Sequence, residues 1–542
     1  MQTVAKILVN HLVKWEITYA FGIPGKPVTP LILEMDKQGL TFVLSKHESG
    51  AGFEASGYSL LNKTLGVAVG TAGPGGTNLL TAAGQALATK SPVLFITGQP
   101  PITQIGKVLG QDSSLFGTDL VKMFDCVTKF SARVDRAELL QPLLTHAVEQ
   151  ALTGRRGPVH LSIPLDVLME EVEVFELPLP DFHAPIISSN INHVMEALDN
   201  AKRPVILVGY GVHDQGCYGE LISFAEQWQI PVMTTPGGKG TMPTNHPLSL
   251  GPFGLGGHLS TDDYLSEGVD LMMVIGSQLS DLETPGMGSS NFPKKIIHFD
   301  DEIKFIGKAI PVPTVAVLGN IKANLRELLA RREQISVKKE LPIKMKKTSF
   351  ASSNKSSYLS GQQVMEVMRT RLPSETLVFG DAGSHSFYAI KYFDIEEPGT
   401  FFFEEVFATM GRAIGYAVGA KLARPKTPVV CLTGDGCLFM HGTEISTAVN
   451  YQVPVIFVVM NNACLDMVDK GMMAHLGKAV GTTYDFALDA AKFGESMGAL
   501  SFRCRSEDDL IKALDMAIEC DKTVVIEVIV DPQELPPTMK RG

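Results

Sequence analysis

The stretch VVCLTGDGCLFMHGTEISTAVNYQVPVIFVVMNN (429–462) places two apolar runs on either side of a helix-like segment. The first run ends in Gly-Asp-Gly and the second ends in two asparagines. Continuous runs of Val, Ile and Leu are typical of parallel strands that are buried on both faces. Because parallel strands need a crossover, usually a helix, the stretch predicts a strand–helix–strand unit of an α/β fold.

Similar apolar runs recur along most of the chain and alternate with helical patterns. They lie at 64–72, 91–99, 157–164, 203–211, 270–278, 294–300, 427–436 and 453–462. We therefore predict an α/β protein built from doubly wound parallel sheets. In such sheets ligands bind beyond the carboxyl ends of the strands, so the chemistry is expected there.

Two segments without periodicity divide the chain. Residues 176–190 are rich in proline, and residues 336–357 are basic and rich in serine, so both are interpreted as linkers. The predicted units are a first domain at 1–175, a central domain at 190–335, a third domain at 358–530 and a tail at 531–542. The apolar runs predict an α/β sheet in each of the three domains.

The composition excludes several classes of protein. The 542 residues are 45% hydrophobic and 19% charged, and the net charge of −11 gives no electrostatic footprint for nucleic acid or an acidic membrane. No apolar run reaches the ~18 residues of a membrane span. Lys6, His11 and Lys14 interrupt the N-terminal apolar residues, which predicts an amphipathic helix rather than a signal peptide. Seven scattered cysteines without a C-x-x-C pair suit a reduced, cytoplasmic location.

Asp435 and Asn462 stand 27 residues apart, which fits a helical crossover and a second strand. If the two strands are neighbours, the two side chains converge at one edge of the sheet. A carboxylate and an amide oxygen suit Mg²⁺ or Ca²⁺ shared with the phosphates of a ligand. Glycines on both sides of Asp435 permit a sharp turn and a close approach of N–H groups to an anion. The alternative is an ordinary turn at Gly-Asp-Gly and a loop cap at the asparagines.

Gly-Asp-Gly followed after 24 residues by Asn-Asn resembles the cofactor motif of thiamine-diphosphate-dependent enzymes. The resemblance implies that Asp435, Asn462 and the backbone carbonyl of Cys464 bind Mg²⁺, and that the metal holds the diphosphate. The same motif places three further residues beside the cofactor, namely Gly434, Gly436 and Cys437.

The N-terminal third contains FGIPG (21–25), KHESGAGFEASGYS (46–59) and GTAGPGGTN (70–78). These segments are similar to the pyrimidine-binding domain of the acetolactate synthase/pyruvate oxidase branch. The match implies that Glu48 hydrogen-bonds the aminopyrimidine ring of the cofactor. A carboxyl group that shares a proton with this ring promotes the imino tautomer, which then removes the C2 proton of the thiazolium. The first domain is thus expected to bind the pyrimidine and the third to bind the diphosphate and Mg²⁺.

In the third domain, GDAGSHS (380–386) matches the loop that contacts the diphosphate in this family. The resemblance implies contacts from Ser384 and His385. An ordinary loop histidine is the alternative interpretation of His385.

FATMGRAIG (407–415) matches the segment whose bulky apolar residue, here Met410, holds the cofactor in its bent form. Bending would bring the imino nitrogen to C2 by proximity. Met467 and Val468 follow the metal ligands and are expected to line the thiazolium pocket. A methionine in an apolar stretch is otherwise usually part of a core.

The central third, which includes DLMMVIGSQLSD (270–281), resembles the domain that carries FAD in several members of the branch. Where FAD-binding members have arginines, this chain has Gln278 and Leu282. Asp300 or Asp301 could still hold a ribose. These departures favour a structural central domain, and FAD remains the open alternative.

The positions that face the substrate depart from acetolactate synthases. Phe116 stands where a glutamine is usual, and Gly471 lies where a tryptophan shapes the acceptor pocket. Asp466 replaces a residue that is commonly small. The predicted substrate pocket consists of Pro24, Gly25, Phe116, Asp466 and Gly471. A protein that retains the cofactor-binding residues but has different residues in this pocket is expected to act on a different substrate.

The resemblance covers about residues 1–535 and implies a transferase or lyase. The expected reaction decarboxylates a 2-oxo acid and transfers the acyl-carbanion equivalent to a second carbonyl compound. The alternatives are simple decarboxylation, oxidation through FAD, or a non-catalytic homologue. The last is disfavoured because Glu48, Asp435 and Asn462 are all present.

A nucleotide-binding dehydrogenase is also disfavoured, because no strand is followed by G-x-G-x-x-G with an acid ~20 residues further on. The active sites of this family combine the first domain of one subunit with the third domain of another. The resemblance therefore implies a homodimer or homotetramer that acts on small molecules, without nucleic acid or membrane partners.

Overall fold

The structure is a computed structural model that describes residues 1–179, 185–331 and 358–539. Within these ranges the chain forms three six-stranded sheets, and every strand pair in them is parallel. The prediction of three doubly wound α/β domains is therefore confirmed. The predicted linker at 336–357 lies outside the described residues, as do residues 180–184 of the linker predicted at 176–190.

The first domain alternates strands and helices from its N-terminus. Its elements are β1 (Gln2–Thr3), α1 (Val4–Lys14), β2 (Tyr19–Gly22), α2 (Thr29–Lys37), β3 (Thr41–Leu44), α3 (Glu48–Asn62), β4 (Gly66–Gly70), α4 (Pro74–Ala88), β5 (Val93–Gln99), α5 (Leu120–Asp125), β6 (Phe130–Arg133), α6 (Leu140–Leu152), β7 (Val159–Pro164), α7 (Leu165–Met169) and β8 (Glu171–Val172). The sheet order is β3-β2-β4-β5-β7-β6, and β1 pairs separately with β8. Helix α1 confirms the predicted amphipathic N-terminal helix, which Thr3 caps through the N–H of Lys6.

The central domain has the same layered construction. Its elements are α8 (Ile191–Asn200), β9 (Pro204–Val208), α9 (Gly211–Gln215), α10 (Tyr218–Trp228), β10 (Val232–Thr234), β11 (Ser249–Pro252), α11 (Leu259–Ser266), β12 (Leu271–Ile275), β13 (Ile296–Asp300), β14 (Thr314–Leu318) and α12 (Ile321–Ala330). The sheet order is β11-β10-β9-β12-β13-β14. The order turns back at β9 and β12, which is where an open α/β sheet forms a crevice beyond its strand ends.

The third domain carries the opening stretch at its centre. Its elements are α13 (Gly361–Arg371), β15 (Leu377–Gly380), α14 (Ser384–Tyr392), β16 (Phe401–Phe403), α15 (Arg412–Ala423), β17 (Val429–Gly434), α16 (Asp435–His441), α17 (Glu444–Asn450), β18 (Ile456–Asn461), α18 (Asp466–Leu476), α19 (Ala490–Ser496), β19 (Leu500–Cys504), α20 (Glu507–Glu519) and β20 (Val524–Ile529). The sheet order is β16-β15-β17-β18-β20-β19. All residues of β17 and β18 are buried, which accounts for their uninterrupted apolar sequences.

Helices α3 and α15 join the first and third domains by an unusually close contact. A Cβ added at Gly57 would lie 2.2 Å from the carbonyl oxygen of Tyr416, and one at Gly419 would lie 1.9 Å from that of Glu54. One apolar core runs across this contact and includes Phe53. The glycines therefore let the two helix backbones touch, which fixes how the two domains sit on each other.

We expect Gly419→Ala to lower the free energy of unfolding by about 3 kcal/mol, because the added methyl group overpacks this helix contact. The matched control is Gly219→Ala in α10, where an added Cβ meets nothing within 4 Å and alanine favours the helix. Thermal unfolding of both variants measures the difference. Equal unfolding midpoints for the two variants would contradict the packing argument.

Candidate active site

The candidate active site lies at the carboxyl ends of β17 and β18. The two strands are neighbours, and Gly434 is paired with Met460 in their register. Asp435 begins α16 directly after β17, while Asn462 directly follows β18. The acid and the amide therefore emerge side by side at one edge of the sheet, as the spacing predicts.

Asp435 is buried, with 3% of its surface exposed. Its Oδ1 accepts a hydrogen bond of 2.7 Å from the N–H of Gly436, whereas Oδ2 is buried without a hydrogen-bond partner among the described residues. Burial raises the pKa of Asp435 to about 6, although the backbone N–H groups of Gly436, Ala463 and Cys464 act in the opposite direction. A buried carboxylate oxygen without a partner is costly unless a cation or ligand satisfies it.

The two asparagines after β18 occupy different environments. Asn461 is buried, donates from Nδ2 to Glu527 at 2.6 Å and accepts at Oδ1 from the N–H of Ala463 at 3.0 Å. Ala463 turns the chain with a φ of 59°. Asn462 instead lines a cavity, and its Nδ2 donates to Asp466 at 3.0 Å. Asn461 thus holds the turn, and Asn462 is the asparagine available to a ligand.

The backbone beyond Asn462 is held by a short bridge to Thr483 that spans Cys464. The bridge has two hydrogen bonds, and both involve the residues on either side of Cys464. The N–H of Leu465 donates one at 2.7 Å, and the carbonyl of Ala463 accepts the other at 3.0 Å. Cys464 lines the same cavity as Asn462. The bridge therefore holds the turn on both sides, and neither of its hydrogen bonds uses the Cys464 carbonyl.

His385 is packed against the glycines of two neighbouring loops. A Cβ added at Gly383 would lie 2.5 Å from its Cε1, and one at Gly434 would lie 2.9 Å from its Nδ1. Burial lowers the pKa of His385 to about 3, so the ring is neutral. Its Nε2 is buried without a hydrogen-bond partner among the described residues, and Ser384 lies beside it at the start of α14. A neutral imidazole with an unsatisfied nitrogen suits contact with a polar ligand.

The segment that carries Met410 has an unusual backbone. Phe407, Ala408 and Gly411 all have positive φ angles, of 63°, 49° and 85°. The Met410 Cε reaches to within 3.3 Å of the position that a Cβ at Gly436 would take. Left-handed conformations of non-glycine residues cost energy and concentrate at functional sites. They bring the tip of Met410 to the Gly-Asp-Gly turn.

These loops enclose a cavity of about 270 Å³. The predicted residues that line it are Ser384, His385, Met410, Gly434, Asp435, Gly436, Cys437, Asn462, Cys464, Asp466, Met467 and Val468. Leu282, Phe387 and Phe403 add apolar side chains to the lining, and the C-terminal segment adds Asp531 and Glu534. The cavity thus combines polar strand-end residues with apolar side chains, a common composition for cofactor sites.

Glu48 lies elsewhere in the same chain, since none of the residues that line the cavity comes from the first domain. It is buried at the start of α3, where its Oε2 accepts a hydrogen bond of 2.9 Å from Asn78 Nδ2. Its Oε1 is 3.3 Å from the position of a Cβ at Gly75. Pro24 and Gly25 follow β2 at the same edge of the first sheet, and Gly25 packs against Thr71. One chain therefore has two separate groups of candidate site residues at strand ends: those around the cavity and those around Glu48.

The remaining predicted substrate residues are not gathered around the cavity. Phe116 is 68% exposed, on the segment that precedes α5. Gly471 is in the middle of α18, a helix without buried residues, and a Cβ there would meet nothing within 4 Å. Asp466 alone of this trio lines the cavity, and its carboxylate is already engaged by Asn462.

The residues at the cavity fit thiamine diphosphate and Mg²⁺. In the described part of the chain no cluster of three His, Cys, Asp or Glu side chains forms a metal site, so a metal here must also use amide and backbone oxygens. Asp435, Asn462 and the Cys464 carbonyl supply such a hard-oxygen set, which suits a cation shared with phosphates. The unsatisfied Asp435 Oδ2 and His385 Nε2 are the atoms that such a ligand would satisfy.

The crevice beyond the ends of β9 and β12 is where the fold would place an FAD. The crevice beyond β9 and β12 has a volume of only about 40 Å³, well below the ~300 Å³ of even small cofactor sites. The two aspartates proposed for a ribose are both occupied: Lys90 donates to Asp300 at 3.0 Å and to Asp301 at 2.6 Å. Buried Glu283 and Glu405 also line or border the space, and burial raises the pKa of Glu405 strongly. The Lys90 cation of this crevice is thus already paired with two carboxylates.

Sequence reasoning missed Asp381 and Arg412. Asp381 Oδ1 accepts from the N–H groups of Ala382 and Gly411, both at 2.9 Å, and Oδ2 accepts from Thr433 Oγ1 at 3.0 Å. Arg412 is buried at 3.7 Å from this carboxylate. The sequence does contain a pattern that indicates Asp381: GDAG at 380–383 repeats the strand–Gly–Asp pattern of GDG at 434–436.

Comparison with known families agrees with this geometry. Residues 2–122 match the model described as "Thiamine pyrophosphate enzyme, N-terminal TPP binding domain", residues 191–328 match its central domain, and residues 381–528 match its C-terminal TPP binding domain. The chain belongs to the thiamine pyrophosphate enzyme family.

Several relatives match over almost the full length. The chain is 31% identical to the probable acetolactate synthase large subunit of Methanococcus aeolicus, over 97% of this chain and 92% of the relative. It is 31% identical to the acetolactate synthase large subunit of Corynebacterium glutamicum, over 97% and 87% of the two chains. In the described ranges, every helix falls short of the length and apolar character that a membrane span requires.

We expect metal binding in the presence of thiamine diphosphate to weaken about tenfold between pH 7 and pH 5, because Asp435 must be ionised to bind a cation. Its raised pKa of about 6 means that the carboxyl group is protonated below that pH and ionised above it. Calorimetric titration with Mn²⁺ at a series of pH values measures the affinity. Asp435→Asn should bind no Mn²⁺ at any of these pH values, and an affinity that stays flat from pH 5 to 7 would contradict the assignment.

Proposed function

We propose that this enzyme decarboxylates a 2-oxo acid and joins the remaining acyl unit to a second carbonyl compound, with thiamine diphosphate and Mg²⁺ as cofactors. The observation that carries the cofactor assignment is the buried, unpartnered Asp435 Oδ2 next to Asn462 at the strand ends. The reaction class is supported by the relatives, which are named acetolactate synthase large subunits.

Different residues of the chain would bind the metal and the cofactor. Asp435, Asn462 and the Cys464 carbonyl would hold the metal, and neutral His385 would hydrogen-bond a polar group of the cofactor. Met410 would support the cofactor from the side of the Gly-Asp-Gly turn. Thiamine diphosphate, when bound, supplies an electron sink for the electrons left behind by CO₂. The apolar side chains of the lining would exclude water from the reacting atoms.

A second subunit is part of the proposal because Glu48 is absent from the cavity of its own chain. The cavity and Glu48 occupy separate strand-end edges, so a symmetric partner would bring the Glu48 edge of one chain to the cavity of the other. Large apolar side chains near both edges are exposed, including Phe116, Phe407 and Val468. Exposed apolar groups of this size are typical of surfaces that another protein covers.

The proposed dimer would also bring the predicted substrate residues together. Pro24, Gly25 and Phe116 belong to the Glu48 edge, whereas Gly471 and α18 belong to the cavity edge. In a dimer the two groups would meet and form the acceptor side of the pocket. A phenylalanine and a glycine there, in place of a glutamine and a tryptophan, would accommodate a different acceptor from that of the relatives.

We further propose that the enzyme works without FAD, because the central crevice is small and carboxyl-rich. A cytoplasmic location is part of the same proposal, since all seven cysteines are free thiols. Simple decarboxylation is the second candidate, because the acceptor-side positions depart from acetolactate synthases.

Mixing of two inactive variants tests the shared site. We expect Glu48→Gln and Asp435→Asn each to abolish most activity alone, whereas random reassociation of equal amounts should restore about a quarter of the wild-type activity. This value follows because half of the dimers are mixed and each mixed dimer contains one intact site. Co-expression or unfolding and refolding of the mixture, followed by an activity assay, makes the measurement. No recovery in verified mixed dimers would show that each site belongs to a single chain.

A panel of 2-oxo acids, with and without aldehyde or 2-oxo acid acceptors, tests the reaction. We expect CO₂ release that depends on added thiamine diphosphate and Mg²⁺ after dialysis against a chelator, with a product mass equal to that of donor and acceptor minus CO₂. The purified protein should be colourless, and added FAD should not change its rate. CO₂ release with only the free aldehyde as product would favour the simple decarboxylase, and full activity of the dialysed enzyme would overturn the cofactor assignment.

A further inference from the structure

Asp466 lies between the proposed metal ligands and the C-terminal segment. It begins α18, and its Oδ1 accepts a hydrogen bond of 3.0 Å from Nδ2 of Asn462, four residues earlier. The Sγ of Cys464 also approaches the same oxygen, at 3.9 Å. The Asp466 side chain is only 12% exposed. Its carboxylate thus contacts two of the residues that would hold the metal.

The hydrogen bond decides which end of the Asn462 amide faces the cavity. A primary amide has a donor end and an acceptor end that are nearly equal in shape, so it can bind a partner in either of two orientations. Because Asp466 Oδ1 accepts this hydrogen bond, it holds the NH₂ end of Asn462 on Asp466. The amide oxygen, the atom a Mg²⁺ ion requires, is then left for the metal.

The other side of Asp466 is tied to the C-terminal segment. Lys470 lies one helical turn further on, with its Nζ 4.0 Å from Asp466 Oδ1 and 3.6 Å from Asp469. The same Nζ donates to the carbonyl of Pro532 at 2.6 Å, and the neighbouring Glu534 lines the cavity. Lys470 therefore offsets part of the charge of Asp466 and holds it against a fixed piece of backbone.

We propose that Asp466 is a positioning residue that orients the amide of Asn462 for the metal ion, rather than a residue that contacts the substrate. The inference rests on the proposed metal site at Asp435 and Asn462. It assigns a role to a side chain that the sequence comparison marks only as a departure, an acid where a small residue is common. Partners of this kind, one step behind the metal ligands, commonly determine metal affinity.

Three variants separate orientation from charge. Asp466→Ala removes the acceptor, Asp466→Asn keeps an acceptor oxygen but removes the charge, and Asp469→Asn removes the neighbouring charge. Asp469 is the matched control because it lies on the same helix and also faces Lys470, but it accepts from Thr482 rather than from Asn462. Thermal unfolding of the cofactor-free proteins verifies that each variant folds. Should Asp466→Ala not fold, Asp466→Leu replaces it, because leucine has the same branched side-chain skeleton but no acceptor.

The readout is the affinity for Mn²⁺ with saturating thiamine diphosphate, measured from the electron paramagnetic resonance of free Mn²⁺. We expect Asp466→Ala to bind Mn²⁺ about tenfold more weakly than the wild type. Asp466→Asn should stay within about threefold, since its oxygen can still accept from Asn462, and Asp469→Asn within about twofold.

Two results would overturn the inference. One is wild-type affinity in Asp466→Ala, and the other is an equal loss in all three variants, which would indicate a general effect of charge. Failure of the proposed function looks different, because the wild-type protein itself would then bind no Mn²⁺ in the presence of thiamine diphosphate. Wild-type binding combined with wild-type affinity in Asp466→Ala would reject only the positioning role.

Discussion

The site depends on the buried carboxylate of Asp381. Its two oxygens accept hydrogen bonds from the backbone at Ala382 and Gly411 and from the hydroxyl of Thr433, so one side chain ties together the ends of three separate elements. Burial raises its pKa, an effect that nearby Arg412 opposes. Three hydrogen bonds and the nearby Arg412 compensate this buried carboxylate, and the hydrogen-bond donors belong to the segments that carry His385, Met410 and Asp435.

A second constraint acts between domains. Close packing of α3 on α15 leaves no room for side chains at Gly57 and Gly419, so the first and third domains are locked at one orientation. That orientation keeps Glu48 at an edge away from the cavity of its own chain. Under the proposed function, the same contact leaves each chain with two incomplete half-sites, and a symmetric dimer would complete both.

Much of this could be predicted from the sequence, because the central strands and the polar residues at their ends are local patterns. Each predicted apolar run contains a strand, and the acid and amide that end two of them do lie together. What local patterns could not show were short edge strands such as β16, whose three residues carry no periodicity. Nor could they show that Lys90 fills the central crevice or that Asp466 binds Asn462, since which groups meet in space is set by packing between distant segments.

The unsatisfied atoms at the cavity link folding to cofactor binding. Asp435 Oδ2 and His385 Nε2 are buried polar atoms without partners in the described chain, and the left-handed backbone at Phe407 and Ala408 adds strain beside them. Each such feature costs the cofactor-free protein stability. A ligand that satisfies these atoms binds only the folded state, and it therefore stabilises the fold as well as the site. If the proposed cofactor assignment holds, the same atoms would favour an anion-bearing, metal-bound ligand, because an apolar ligand would leave them unpaired.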